Sequence, residues 1–155
     1  MSARFTIEDL QRKGFAVTGD QAAKQNKVRG ALKSEVNGIK FASKLELYFY
    51  NLLKAVKIEF EFQVEYELQP AFLFHGKKIQ PIKIRPDFYL PDFDMIVDTK
   101  GFAMEKATLK YKMLKYKFHI EGKNTSIELP STKEECEKLI NQLINRKLNL
   151  QTSKF

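Results

Sequence analysis

The chain is poor in the residues that build disulfides and soft-metal centres. Its 155 residues include one cysteine, Cys136, and two histidines, His75 and His119. A single cysteine excludes an internal disulfide and a multi-cysteine zinc site, and it fits a reducing compartment. With the two histidines far apart in sequence, any bound metal is expected on carboxylates, which favours Mg²⁺ or Mn²⁺ over Zn²⁺. No apolar run approaches the length of a membrane-spanning helix, and no signal-peptide pattern opens the chain, so the expected location is cytoplasmic. Internal repeats and low-complexity tracts are absent too.

What the chain has is positive charge and aromatic rings. Twenty-seven Lys and Arg against nineteen Asp and Glu give a net charge of +8. That excess points to a polyanionic partner, and the lack of membrane signals makes nucleic acid the expected one. Hydrophobic residues make up 43%, with thirteen Phe and six Tyr, which supplies apolar surface for a folded core. The length suits one domain. We expect a basic N-terminal arm over 1–40, a single domain over 41–150 and a frayed tail over 151–155.

Along the arm, Ile7 to Lys13 has helical character with Thr6 as N-cap, followed by a basic stretch with Lys24, Lys27, Arg29 and Lys33. Phe41 to Lys54 reads as a helix, with Leu45, Phe49, Leu52 and Leu53 at helical spacing and Ser43 as N-cap. Lys57 to Leu68 alternates strictly between apolar and polar residues and predicts one long strand with one buried face. Ala71 to Phe74, His75-Gly76 and then Ile79, Ile82 and Ile84 predict a strand, a turn and a returning strand. Pro86 and Pro91 interrupt the ladder before Phe93 to Lys100 resumes as a strand, with a kink expected at Pro86. Ala103 to Lys117 reads as a basic helix, or a helix passing into a strand over Phe118 to Ile120. Glu121 to Asn124 reads as a turn. Thr132 and Glu135 form a capping box for a last helix, with Leu139, Ile140, Leu143 and Ile144 on one face. The whole predicts an α+β domain with a mixed, mostly antiparallel sheet flanked by helices.

The residues with chemical potential cluster in the middle of the chain. Pro86-Asp87 is followed, eleven positions after Asp87, by Asp98-Thr99-Lys100-Gly101. On a strand, Asp98 and Lys100 leave the same face. If Asp87 lies at the same level on the neighbouring strand, two carboxylates and an ammonium share one cleft. Two carboxylates suit a hard divalent cation, and a lysine beside them suits water activation and charge growing on a phosphoryl group. The alternative is a turn aspartate and a cross-strand ion pair, which would contribute little. The acidic stripe of Glu59, Glu61, Glu65 and Glu67 reads most simply as a solvated face, with Glu65 or Gln63 as a reserve ligand. His75 and His119 read as structural, and Cys136 is given no chemistry.

In these residues the chain resembles the PD-(D/E)xK nuclease superfamily, here Pro86-Asp87 and then Asp98-Thr99-Lys100. It is most similar to a phage-borne, Holliday-junction-resolvase-like branch. That likeness rests on Gly38-Ile39-Lys40-Phe41-Ala42-Ser43-Lys44-Leu45-Glu46, Pro86-Asp87-Phe88, Asp98-Thr99-Lys100-Gly101 and the Lys-rich run Leu109-Lys110-Tyr111-Lys112, within roughly Gly38 to Phe118. The resemblance implies a restriction-endonuclease-like core and a Mg²⁺- or Mn²⁺-dependent DNA endonuclease, phage-encoded and acting on branched recombination intermediates in the host cytoplasm. Asp87, Asp98 and Lys100 then form the catalytic centre, and Glu46 joins the metal directly or through water. Glu46 is equally the partner of Ser43 in a capping box. Lys106, Lys110, Lys112, Lys115, Lys44 and Arg85 are the expected DNA contacts, and a homodimer is the expected assembly. Two alternatives remain open: a restriction-like or DNA-end nuclease without junction selectivity, and a non-catalytic DNA-binding module.

Overall fold

A computed structural model describes residues 34–99 and 105–152 of the chain. They fall into two compact units, one of residues 34–58 and 130–152, the other of residues 59–99 and 105–129. Among the described residues, no helix is long and apolar enough to cross a membrane.

In the first unit a short antiparallel hairpin, β1 (Ser34–Val36) with β2 (Ile39–Phe41), leads into helix α1 (Lys44–Ala55). The expected cap is present: Ser43 Oγ accepts from the Glu46 amide at 3.1 Å, and Glu46 Oε2 accepts from the Ala42 and Ser43 amides at 2.6 and 3.3 Å. Phe49, Leu52 and Leu53 are buried, as their spacing predicts, and the Phe41 ring meets Tyr50 edge-on at 5.0 Å. Helix α3 (Lys133–Thr152) packs on α1 through Leu139, Ile140 and Leu143. Its N-cap is Thr132, whose Oγ1 accepts from the Glu135 amide, while Glu135 reaches back to the Ser131 amide. Cys136 is fully buried here. Burial, aided by Glu135, Glu137 and Glu134, pushes its thiol up to about 12, so it stays protonated and unreactive.

The second unit is organised by one long antiparallel ladder. Strand β3 (Glu61–Phe62) pairs with β8 (Phe88–Leu90), β4 (Tyr66–Gln69) with β7 (Ile82–Ile84), and β5 (Phe72–Phe74) with β6 (Lys77–Ile79). Phe62 opposite Phe88 and Tyr66 opposite Ile84 share one register, so the first two pairs are segments of a single ladder. The strand predicted over Lys57 to Leu68 is therefore corrected. It starts only at Glu61 and breaks after Phe62, because Lys57 and Gln63 adopt positive φ (54° and 56°), and the chain opposite Val64 is Pro86, which has no amide to donate. A bulge between Glu67 and Gln69 shifts the register by one, and Pro70 then stands opposite Pro81, which separates the outermost pair.

A 3₁₀ turn (Pro91–Phe93) and a left-handed Asp94 (φ 45°) carry β8 back into β9 (Met95–Val97). Helix α2 (Glu105–Ile120) then precedes β10 (Ser126–Glu128), which lies parallel to β9, giving a mixed four-stranded sheet in the order β10-β9-β8-β3. Helix α2 continues through Phe118 to Ile120, so of the two readings the sequence allows there, helix or strand, the helix is the one observed. Tyr111, Leu114 and Phe118 repeat at helical spacing and bury one face against Ile96, Ile84 and Tyr66. The turn at Glu121 to Asn124 is observed, with Gly122 at φ 65°. Strand β10 carries a single apolar residue, Ile127, too short a signal to read from sequence. The described residues form an α+β fold with mostly antiparallel pairing.

Candidate active site

The sheet register decides where the two aspartates go. Phe88 faces Val97 and Tyr89 faces Ile96 across β8 and β9, so the next pair outward is Asp87 with Asp98. Directly opposite residues in an antiparallel pair put their side chains on one face, roughly 5 Å apart at Cβ. The ladder is held on both sides at this level: the Gln63 amide donates to the Asp87 carbonyl at 2.8 Å, and the Asp98 amide donates to the Glu128 carbonyl at 3.0 Å. The end of the four-stranded sheet thus carries Gln63, Asp87 and Asp98 side by side.

Each carboxylate is oriented by a donor. Asp87 Oδ2 accepts from both the amide and the hydroxyl of Thr99, at 2.8 and 2.7 Å. Asp98 is fully buried, and its Oδ2 accepts from the Tyr111 hydroxyl. Burial, then that hydrogen bond, then the charges of Asp98 and Asp87 push the Tyr111 phenol well above its usual range. Tyr111 is therefore a fixed, protonated donor. Such donors hold a carboxylate in one rotamer, as partners of metal ligands do.

Asp98 and Tyr111 form part of the wall of a cleft of about 510 Å³ in this unit. Lys83 and Arg85 enter it from β7 and the residue after it, and Lys106 and Lys110 enter it from one face of α2. Four cations face two carboxylates, those of Asp98 and Glu65. Glu65 is held by Lys83 at 2.7 Å and Arg85 at 3.1 Å, and these hydrogen bonds lower its carboxyl below the usual range. Lys110 donates to the Lys83 carbonyl at 2.8 Å, which ties α2 to β7. The arrangement has the chemistry of an anion-binding groove with a buried carboxylate in its wall.

The expected site residues divide accordingly. Asp87 and Asp98 come together, and Arg85, Lys106 and Lys110 line the cleft beside Asp98. Lys112 and Lys115 are exposed on α2 away from the cleft lining. Lys44 and Glu46 belong to α1 in the first unit, where Glu46 is 1% exposed and serves the capping box. Of the reserve ligands, Gln63 stands beside Asp87, and Glu65 sits in the cleft paired with its two cations. Lys100 lies outside the described residues, as do the helix expected at Ile7 to Lys13 and the basic stretch from Lys24 to Lys33. The sequence reading missed Tyr111, Thr99 and Lys83. Thr99 sits inside the Asp-x-Lys motif and Lys83 alternates with half-buried Ile82 and buried Ile84, but Tyr111 meets Asp98 only through the packing of α2.

Among the described residues, no group of three His, Cys, Asp or Glu has the arrangement of a metal cage. Two fixed carboxylates still fit Mg²⁺, which is commonly held by one or two carboxylates together with water and substrate phosphate. The molecule is thus an α+β protein with an acidic pair beside a basic cleft. The chain belongs to the family described as "Protein of unknown function (DUF1064)", whose match covers residues 26–131 and so includes Asp87, Asp98 and the whole cleft. No curated protein and no solved structure matches it.

Proposed function

We propose that this protein is a Mg²⁺- or Mn²⁺-dependent DNA endonuclease with a restriction-endonuclease-like core. The observation that carries the reading is the register that sets Asp87 opposite Asp98 beside a cleft lined by Lys83, Arg85, Lys106 and Lys110. Asp87 and Asp98 hold the cation, and Thr99 and Tyr111 keep the two carboxylates aimed. When bound, the cation supplies Lewis-acid polarisation of the phosphodiester and a more acidic water. Lys100, two residues beyond Asp98 along the chain, positions that water and offsets charge on the phosphoryl oxygens. The water oxygen bonds to phosphorus, one ester P–O bond breaks, and the products are a phosphate monoester and an alcohol. The cations of the cleft grip the backbone and carry no sequence information, which suits recognition by DNA shape.

Selectivity for branched recombination intermediates, a homodimer that cuts two strands, a phage origin and a place in the host cytoplasm complete the proposal. The test is cleavage of labelled duplex, flap, single-strand and four-way-junction DNA with Mg²⁺ or Mn²⁺, by wild type, Asp98→Asn and Lys100→Ala. We expect cutting by wild type, strongest on the junction, and loss in both variants. Equal cutting of plain duplex removes the junction selectivity. Retained cutting in both variants removes the active site, and binding without metal-dependent cutting on every substrate favours a DNA-binding module.

A further inference from the structure

The ladder that carries Asp87 at its base ends in a hairpin with a different character. Its tip is the two-residue turn His75-Gly76, both at positive φ (47° and 73°), the pattern of a type I′ turn whose twist matches the flanking strands. Every residue from Ala71 to Gln80 is exposed. Phe72, Leu73, Phe74 and Ile79 are 44%, 73%, 59% and 38% exposed, an unusual concentration of apolar surface on one short ribbon. Leu73 faces Lys78 across the hairpin and Phe74 faces Lys77, so each apolar side chain near the tip has a cation opposite. Between Glu67 and Asp87 the sequence has no acidic residue, and it carries Lys77, Lys78, Lys83 and Arg85. Lys83 and Arg85 line the cleft and are paired there with Glu65, whereas Lys77 and Lys78 lie on the hairpin, in a segment that has no carboxylate.

An exposed apolar ribbon ordinarily invites pairing with another chain. A second copy paired through β6 fits poorly, because it would oppose Lys77 and Lys78 of both copies with no carboxylate in the segment to meet them, and one paired through β5 would leave those two lysines without a counter-charge. A polyanion with flat apolar faces fits both features. We propose that the β5–β6 hairpin is a DNA wedge: its tip enters at a branch so that Phe74 on one face and Leu73 on the other each displace a base from its stack, and Lys77 and Lys78, which share those two faces, hold the flanking phosphates. This deepens the nuclease reading and rests on DNA being the substrate of the cleft. Apolar wedges of this kind kink a duplex at the cost of unstacking a step, which is least at a branch point or mismatch.

The experiment uses the full chain without divalent metal and a four-way junction with 2-aminopurine beside the branch point. Wild type is expected to bind and raise the 2-aminopurine fluorescence. Leu73→Ser/Phe74→Ser, with an unchanged thermal melt, is expected to bind about tenfold more weakly and give no rise. Lys77→Ala/Lys78→Ala is expected to weaken binding and flatten its salt dependence. A serine variant that binds and raises fluorescence as wild type does overturns the wedge. So does a wild type that binds without any rise, and so does a dimer that the serine pair splits while the fluorescence response is unchanged. The two proposals fail separately: a wild type that cuts no DNA with metal yet unstacks the junction removes the nuclease and keeps the wedge, whereas cutting with no unstacking removes only the wedge.

Discussion

The two ends of the long ladder in the second unit share an antiparallel geometry and have opposite surroundings. At the base, Phe88, the residue after Asp87, is 1% exposed and takes the Phe60 and Phe62 rings at 5.6 and 5.4 Å. At the tip, Phe72 and Phe74 stand in solvent, opposite Ile79 and Lys77. The same residue type thus packs beneath the two aspartates at one end and stands in solvent at the other. The difference arises from Pro86, Pro70 and Pro81, which divide the ladder into segments that need not share one core.

The largest expected effect is on chemistry at the base. Asp98→Asn should lower metal-dependent cleavage by about a thousandfold or more, read in single-turnover assays, because a neutral amide is a poor ligand for a hard cation. No hairpin substitution should match it. Next comes packing: Phe88→Ala should cost about 3–5 kcal/mol in urea denaturation, whereas Phe74→Ala should stay within about 0.5 kcal/mol. Equal costs at the two positions would break the comparison.

Tyr111→Phe should cost about 1–3 kcal/mol, because it removes a donor from buried Asp98. Its pH dependence follows from the direction of the shift. The folded phenol titrates above its ordinary value of 10.0, so the stabilisation is fully present below pH 10 and is lost as pH rises beyond it. The stability gap between wild type and the variant should close above pH 10, and a gap that widens there contradicts the assigned bond. The smallest effect is expected at Glu46→Gln, since glutamine can also close a capping box. Stability should change by less than about 0.5 kcal/mol, with cleavage kept. A hundredfold loss of cleavage with the fold intact would instead assign Glu46 to the metal.

Much of this was legible in the sequence because it is local. Ser43 and Glu46, Thr132 and Glu135, the His75-Gly76 turn and the face of α3 follow from spacing alone. The break at Gln63 was not, because strict alternation across Lys57 to Leu68 gives no sign of a positive φ. The exposure of Phe72 and Phe74 was not, because alternation reports two faces and not what covers them. Asp87 and Asp98 stood out as a motif, but only the pairing of Phe88 with Val97 brings them level, and only the packing of α2 supplies Tyr111.

If Asp87 and Asp98 act as one metal-holding pair, loss of either carboxylate should weaken binding of the cation. Single-turnover cleavage of a four-way junction across a Mn²⁺ titration, comparing wild type with Asp87→Asn, tests it directly. Saturable, Mn²⁺-dependent cutting is expected from wild type, and the variant should need far more Mn²⁺ and cut at least about a hundredfold more slowly. An Asp87→Asn protein with the wild-type rate and Mn²⁺ dependence would contradict it.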